Sequence, residues 1–94
     1  MPAVKPRIRE DLTTVELDGE IVIYDERTDE IHHLNPTASV VFSLCDGRST
    51  VREMARDIAQ AFGAEADQVE REVRALLREF RKAELLAEKG AKVG

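Results

Sequence analysis

The sequence predicts an α+β domain in which a three-stranded antiparallel sheet is followed by a three-helix bundle. Three observations carry the prediction. Residues 13–34 alternate short β-branched runs with polar turns. From Asn35 onward the apolar residues fall at helical spacing instead. Most changes of element coincide with a residue that turns or caps a chain.

Thr13-Thr14-Val15-Glu16-Leu17 alternates polar and apolar residues, the pattern of a half-buried strand. Asp18-Gly19 is a two-residue hairpin signal, because both positions accept positive φ. Ile21-Val22-Ile23-Tyr24 is dense in β-branched and aromatic residues and reads as the central strand. Asp25 to Asp29 forms a polar turn, and Ile31 to Leu34 a third strand, giving an antiparallel meander. Asn35-Pro36 starts a helix: Asn accepts a hydrogen bond from a free backbone N–H, and Pro at the first helical position needs no donor. Val40, Val41, Phe42, Leu44 and Cys45 cover most of this helix, which predicts that it is the most buried; Asp46-Gly47 ends it. Thr50-Val51-Arg52-Glu53 is a capping box for a second helix with an apolar face of Val51, Met54, Ala55, Ile58 and Phe62, closed by Gly63. Asp67-Gln68-Val69-Glu70 resembles another capping box. It opens a third helix that carries Val69, Val73, Leu76, Leu77 and Phe80. Leu85-Leu86 is expected to cover the open end of the core.

At 94 residues the chain fits one domain with a small core. The expected organisation is a flexible N-terminal arm over 1–11, a folded domain over 12–87 and a disordered tail over 88–94. No apolar stretch approaches the roughly 20 residues of a membrane span, and no secretory signal pattern opens the chain. With Cys45 alone, no internal disulfide forms. These features fit a cytoplasmic protein that engages no membrane. The net charge of −5 is concentrated at the front: residues 1–35 hold four basic and nine acidic side chains, whereas 36–94 balance. An acidic sheet argues against a general nucleic-acid surface, which needs clustered positive charge.

Little in the chain points to catalysis, a metal or a cofactor. His32 and His33 are adjacent on a strand, so they point to opposite faces and cannot share one ion. No Cys-x-x-Cys or His-Glu-x-x-His pattern adds ligands. Cys45 lies on an apolar helix face with no base beside it, as an inert core thiol does. Carboxylates are plentiful but sit in turns and on exposed helix faces, and no Gly-rich phosphate loop or Gly-x-Ser-x-Gly elbow occurs. The third helix offers more. Projected at 100° per residue, Arg71, Arg74, Arg78 and Arg81 fall on one flank of its apolar stripe, with Gln68, Glu72 and Glu79 on the other. Two accounts stand for the arginines: solvation with i,i+4 pairing such as Glu70–Arg74, or a grip on acidic side chains of a partner. The second and third helices also have the form of a helix-turn-helix, with the strands as a wing.

The order of elements, taken with Leu34-Asn35-Pro36-Thr37-Ala38, the Leu44-Cys45-Asp46-Gly47-Arg48-Ser49-Thr50-Val51 junction and the Phe62-Gly63 helix end, closely resembles the PqqD-like family over residues 12–86. The resemblance implies a winged-helix-like fold and a recognition role for ribosomally made, modified peptides. In such proteins the leader of a precursor peptide adds as a further strand along the third strand and lies against the third helix. Here that implies a peptide site of Glu30, Ile31, His32, His33 and Leu34 with Glu70, Arg74, Leu77, Arg78 and Arg81. Its partners are a precursor leader and a modifying enzyme such as a radical-SAM protein, a cyclodehydratase or a leader peptidase. Strand addition supplies backbone hydrogen bonds, and side-chain pockets set specificity. Two other readings compete: a winged-helix DNA-binding regulator, and a protein that self-associates by pairing open strand edges.

Overall fold

In the computed structural model, which describes residues 5–87, the hairpin turn takes the conformation that its residues favour. Asp18 and Gly19 have φ of 52° and 80°. This double left-handed turn matches the twist of the strands it joins. It folds β1 (Thr13–Leu17) antiparallel onto β2 (Glu20–Asp25). A second turn, with Asp29 at φ 61° and bonded to the Tyr24 hydroxyl at 2.7 Å, returns β3 (Glu30–His33) along the far side of β2. The sheet order is β1-β2-β3, so β1 and β3 are its edges.

Three helices follow: α1 (Pro36–Leu44), α2 (Val51–Phe62) and α3 (Ala66–Lys82). Asn35 caps α1 by accepting from the Ala38 N–H at 2.8 Å. The Thr50–Glu53 capping box on α2 is complete. α3 departs from expectation. Its cap is Glu65, without a side-chain hydrogen bond, and Asp67 lies inside the first turn. The expected second box is absent because the helix begins earlier and Glu70 turns to arginines instead.

The core lies between β2 and the helices. Ile21 and Ile23 point inward from β2 against Ala38, Val41 and Phe42, with Met54, Ala55, Val73, Leu77 and Phe80 beyond. Phe42 meets Phe80 edge to face, with centroids 5.8 Å apart and planes at 84°, an arrangement that adds to the burial of both rings. Leu85 and Leu86 are buried with this core. β1 is not half-buried as its alternation predicts. All five of its residues are exposed, Val15 and Leu17 at 51% and 60%. The helices cover β2, and the first edge lies outside their reach.

Ser39 is a buried polar residue that ties the layers together. At the last rung between β2 and β3, Leu34 N–H bonds to the Ile21 carbonyl at 2.8 Å. The Ser39 hydroxyl fills the other half of that rung. It accepts from Ile21 N–H at 2.8 Å and donates to the Leu34 carbonyl at 3.3 Å. α1 is thereby pinned to the end of β3.

Residues 6–9 are not a loose arm. Gly47 N–H bonds to the Pro6 carbonyl at 2.8 Å, Ile8 N–H to Cys45 and Arg9 N–H to Leu85, while Ala87 N–H returns to the Arg7 carbonyl at 2.7 Å. This strap bridges the α1–α2 junction and the segment after α3. Gly47 has φ +80°, and a Cβ there would meet Arg7 at 3.1 Å, so glycine suits both the turn and the close approach. Arg9 supplies the charge that a buried Asp25 requires. It reaches that carboxylate at 2.9 Å, and its side chain is only 14% exposed. The segment lacks strand alternation, which is why its attachment is hidden in the sequence. Residues 1–4 and the expected tail over 88–94 lie outside the described residues.

Candidate functional site

The site grows from the register of β3. Antiparallel pairs alternate between those that exchange hydrogen bonds and those that do not. The Leu34–Ile21 bond makes that rung a bonded one. By alternation, His32–Ile23 and Glu30–Asp25 are also bonded, and Ile31–Tyr24 and His33–Val22 are not. The N–H and C=O groups of Ile31 and His33 therefore point out of the sheet along a vacant edge. Ile31 is 71% exposed there.

Side chains follow the same alternation. His33 lies on the outer face, its Nε2 2.7 Å from Glu20. His32 turns to the inner face beside Ile23. Its Nε2 is buried without a hydrogen-bond partner, and the nearest carboxylate, Glu30, is 3.6 Å away. Among the described residues no group of three or more potential ligands could hold a metal ion.

A cleft of about 290 Å³ opens three residues beyond β3. Pro36, Thr37 and Val40 of α1 form one wall, and Val69, Glu72, Val73 and Leu76 of α3 face them. Ile58 and Phe62 of α2 close one end. Phe62 is 68% exposed, so the apolar face read for α2 extends out of the core to the cleft. The volume is at the lower limit of the roughly 300–1,000 Å³ that takes small molecules. One or two apolar side chains fit it better.

The structure brings together only part of the residue set expected from the sequence. Glu30 to Leu34 form the edge and its exit, and Leu34 packs partly into the core. Leu77 is 5% exposed and belongs to the core. Glu70 is bonded to Arg74 at 2.6 Å and has Arg52 of α2 at 3.8 Å. The Arg74 guanidinium holds its carboxyl below the ordinary glutamate range. Arg78 and Arg81 share this flank of the helix. None of these four residues lines the cleft, whose α3 wall is the opposite flank. Leu76, Glu72, Val40 and Phe62 line the cleft without being among the residues expected from the sequence. The available signal was the width of the apolar stripe: Leu76 lies at the margin of the α3 face, where a side chain packs inward and stays accessible.

Cys45 is buried and takes no part in the site. Burial and the nearby Asp46 push its thiol up to about 12, so the thiolate is scarce at neutral pH.

An antiparallel meander with a vacant edge, followed by a helix-turn-helix pair, defines a winged-helix-like α+β domain. The chain belongs to the PqqD family, described as coenzyme PQQ synthesis protein D, whose model matches residues 20–86. Solved structures share the fold. TbiB1 in complex with the TbiA(beta) leader peptide aligns with a TM-score of 0.78 at 26% identity, over 92% of this chain and 99% of that one. Lasso peptide synthetase B1 complexed with its leader peptide aligns at 0.77 and 20% identity, covering 88% and 98%. The PqqD truncation of Methylobacterium extorquens PqqCD, a stand-alone RiPP recognition element, aligns at 0.74 and 22%, covering 90% and 89%. A search of curated proteins finds no match. Among the described residues no helix is long and apolar enough to cross a membrane.

Proposed function

We propose that this chain is a non-catalytic, cytoplasmic recognition domain. It binds the leader segment of a ribosomally synthesised precursor peptide and presents it to a modifying enzyme, such as a radical-SAM protein, a cyclodehydratase or a leader peptidase. The observation that carries this reading is the vacant edge of β3, followed in the chain by a helix that lines an apolar cleft. The two similar structures solved with leader peptides support the same reading.

The site consists of the Glu30–Leu34 edge, where Ile31 and His33 offer backbone pairing, with Val40, Phe62 and Leu76 receiving an apolar side chain. Arg74, Arg78 and Arg81, which the sequence offers as a grip on acidic side chains, do not line the cleft. Titration with a precursor leader peptide tests the reading. Amide resonances of residues 30–34 and of the cleft should shift at saturation. A saturated peptide that leaves them unmoved removes the assignment. The DNA-binding alternative predicts a gel shift that weakens with salt; the acidic sheet opposes it, and we expect none.

A further inference from the structure

Resting on the leader-binding reading, we infer that the peptide taken by this domain carries a basic side chain, lysine or arginine, next to an apolar anchor. The anchor enters the α1–α3 cleft, and the cation meets Glu72 at its mouth.

The argument is one of charge placement. Glu72 is the single ionisable residue in the cleft lining. It has no ion-pair or hydrogen-bond partner among the described residues. Glu70, two positions earlier on the same helix, is neutralised by Arg74 and Arg52. α3 therefore places its paired carboxylate on one flank and an unpaired one at the cleft. Its arginine-rich flank faces away, so no cation in the lining offsets Glu72. The sheet has the same sign overall, because β3 begins with Glu30 and residues 1–35 carry a net −5. An acidic peptide side chain at this mouth would meet only repulsion. A basic one gains a partner and is drawn in by the acidic field. The apolar walls exclude a wholly polar segment, so the occupant is a cation beside an apolar residue.

Glu72 is exposed, so the pair is a rim contact of modest strength. Replacing the peptide's basic residue by glutamate should weaken binding about fivefold. The effect should shrink as salt rises.

The test is a display selection of random 12-residue peptides on the full chain and on its Glu72→Gln and Glu72→Lys variants. The recovered peptides are then resynthesised and mapped by amide shifts. For wild type, peptides that shift β3 and cleft resonances should share an apolar residue with lysine or arginine within two positions. The preference should flatten in Glu72→Gln and invert in Glu72→Lys. Because Glu72 is exposed, all three proteins should melt alike, which keeps the comparison one of binding. Peptides that map to β3 and the cleft but are indifferent to charge, or favour acids on wild type, overturn the charge inference and leave strand capture standing. Selected peptides that move neither β3 nor the cleft overturn both.

Discussion

Replacing Ile31 by proline should separate the two roles of β3, partner of β2 and template for a guest. The Leu34–Ile21 hydrogen bond at 2.8 Å sets the alternation, and Ile31 opposite Tyr24 then points its N–H outward. Proline at 31 removes no bond of the β2–β3 ladder, and edge strands tolerate it. The isoleucine side chain is 71% exposed, so little burial is lost. The stability cost should stay near or below about 1 kcal/mol. A guest strand, however, loses one backbone hydrogen bond with a net worth of roughly 0.5–1.5 kcal/mol. At about 1.4 kcal/mol per tenfold, affinity should fall between about twofold and about tenfold. His32→Pro is the control. Its N–H lies within the ladder, so it should lower stability far more than Ile31→Pro. Urea denaturation measures the first quantity, and anisotropy with a labelled leader peptide measures the second. If Ile31→Pro binds like wild type, or if both prolines destabilise equally, the derived edge is wrong.

Four further outcomes follow from the packing. Ser39→Ala should cost about 1–3 kcal/mol in urea denaturation, because Ile21 N–H and the Leu34 carbonyl both lose their buried partner. Phe42→Ala should cost about 3–5 kcal/mol, since it opens a cavity against Phe80; a melting point close to wild type would contradict the core. Cys45 should resist thiol reagents at neutral pH until the chain unfolds, as its thiol is pushed up to about 12. The Arg9 hydrogen bond holds the Asp25 carboxyl below its unfolded value, so this pair stabilises fully above the ordinary carboxylate range and the contribution disappears as pH falls through the folded value. The urea midpoint should therefore drop only below about pH 4, and a decline already under way near about pH 6 would refute the assignment.

The local rules were readable because each involves neighbours in sequence. Asp18-Gly19, Asn35-Pro36, Thr50–Glu53 and Gly63 all act within one turn of chain, and all four appear in the structure. Residues whose role depends on distant partners were harder to read. Arg9 meets Asp25 sixteen positions away, and Ser39 meets Ile21 eighteen away, so nothing near either residue announces its task. The arginine flank is a related case. A helical projection orders side chains around α3 but does not say which margin borders an opening. That depends on where α1 lies, and α1 is placed by the Ser39 bridge. Leu77 reads as a surface anchor only until α3 is rotated to its packed orientation, where Leu76 takes the accessible margin.

The short length of β3 connects fold to selectivity. Four residues, with Glu30 and His33 at the ends, offer two outward-facing positions and so at most four backbone hydrogen bonds. At roughly 0.5–1.5 kcal/mol each, that gain is comparable with the cost of ordering an extended chain and losing its freedom. Backbone pairing alone therefore cannot hold an arbitrary peptide, nor a second copy of this domain. Short charged edges limit self-pairing for the same reason. A stable complex needs a further contribution, and the cleft is the nearest source of apolar burial. An anchor burying about 100 Å² of apolar surface there adds about 2.5 kcal/mol, enough to turn a transient pairing into a selective one. On the proposed reading the edge sets orientation and the cleft sets affinity, so that only a peptide that satisfies both along one stretch of chain is retained.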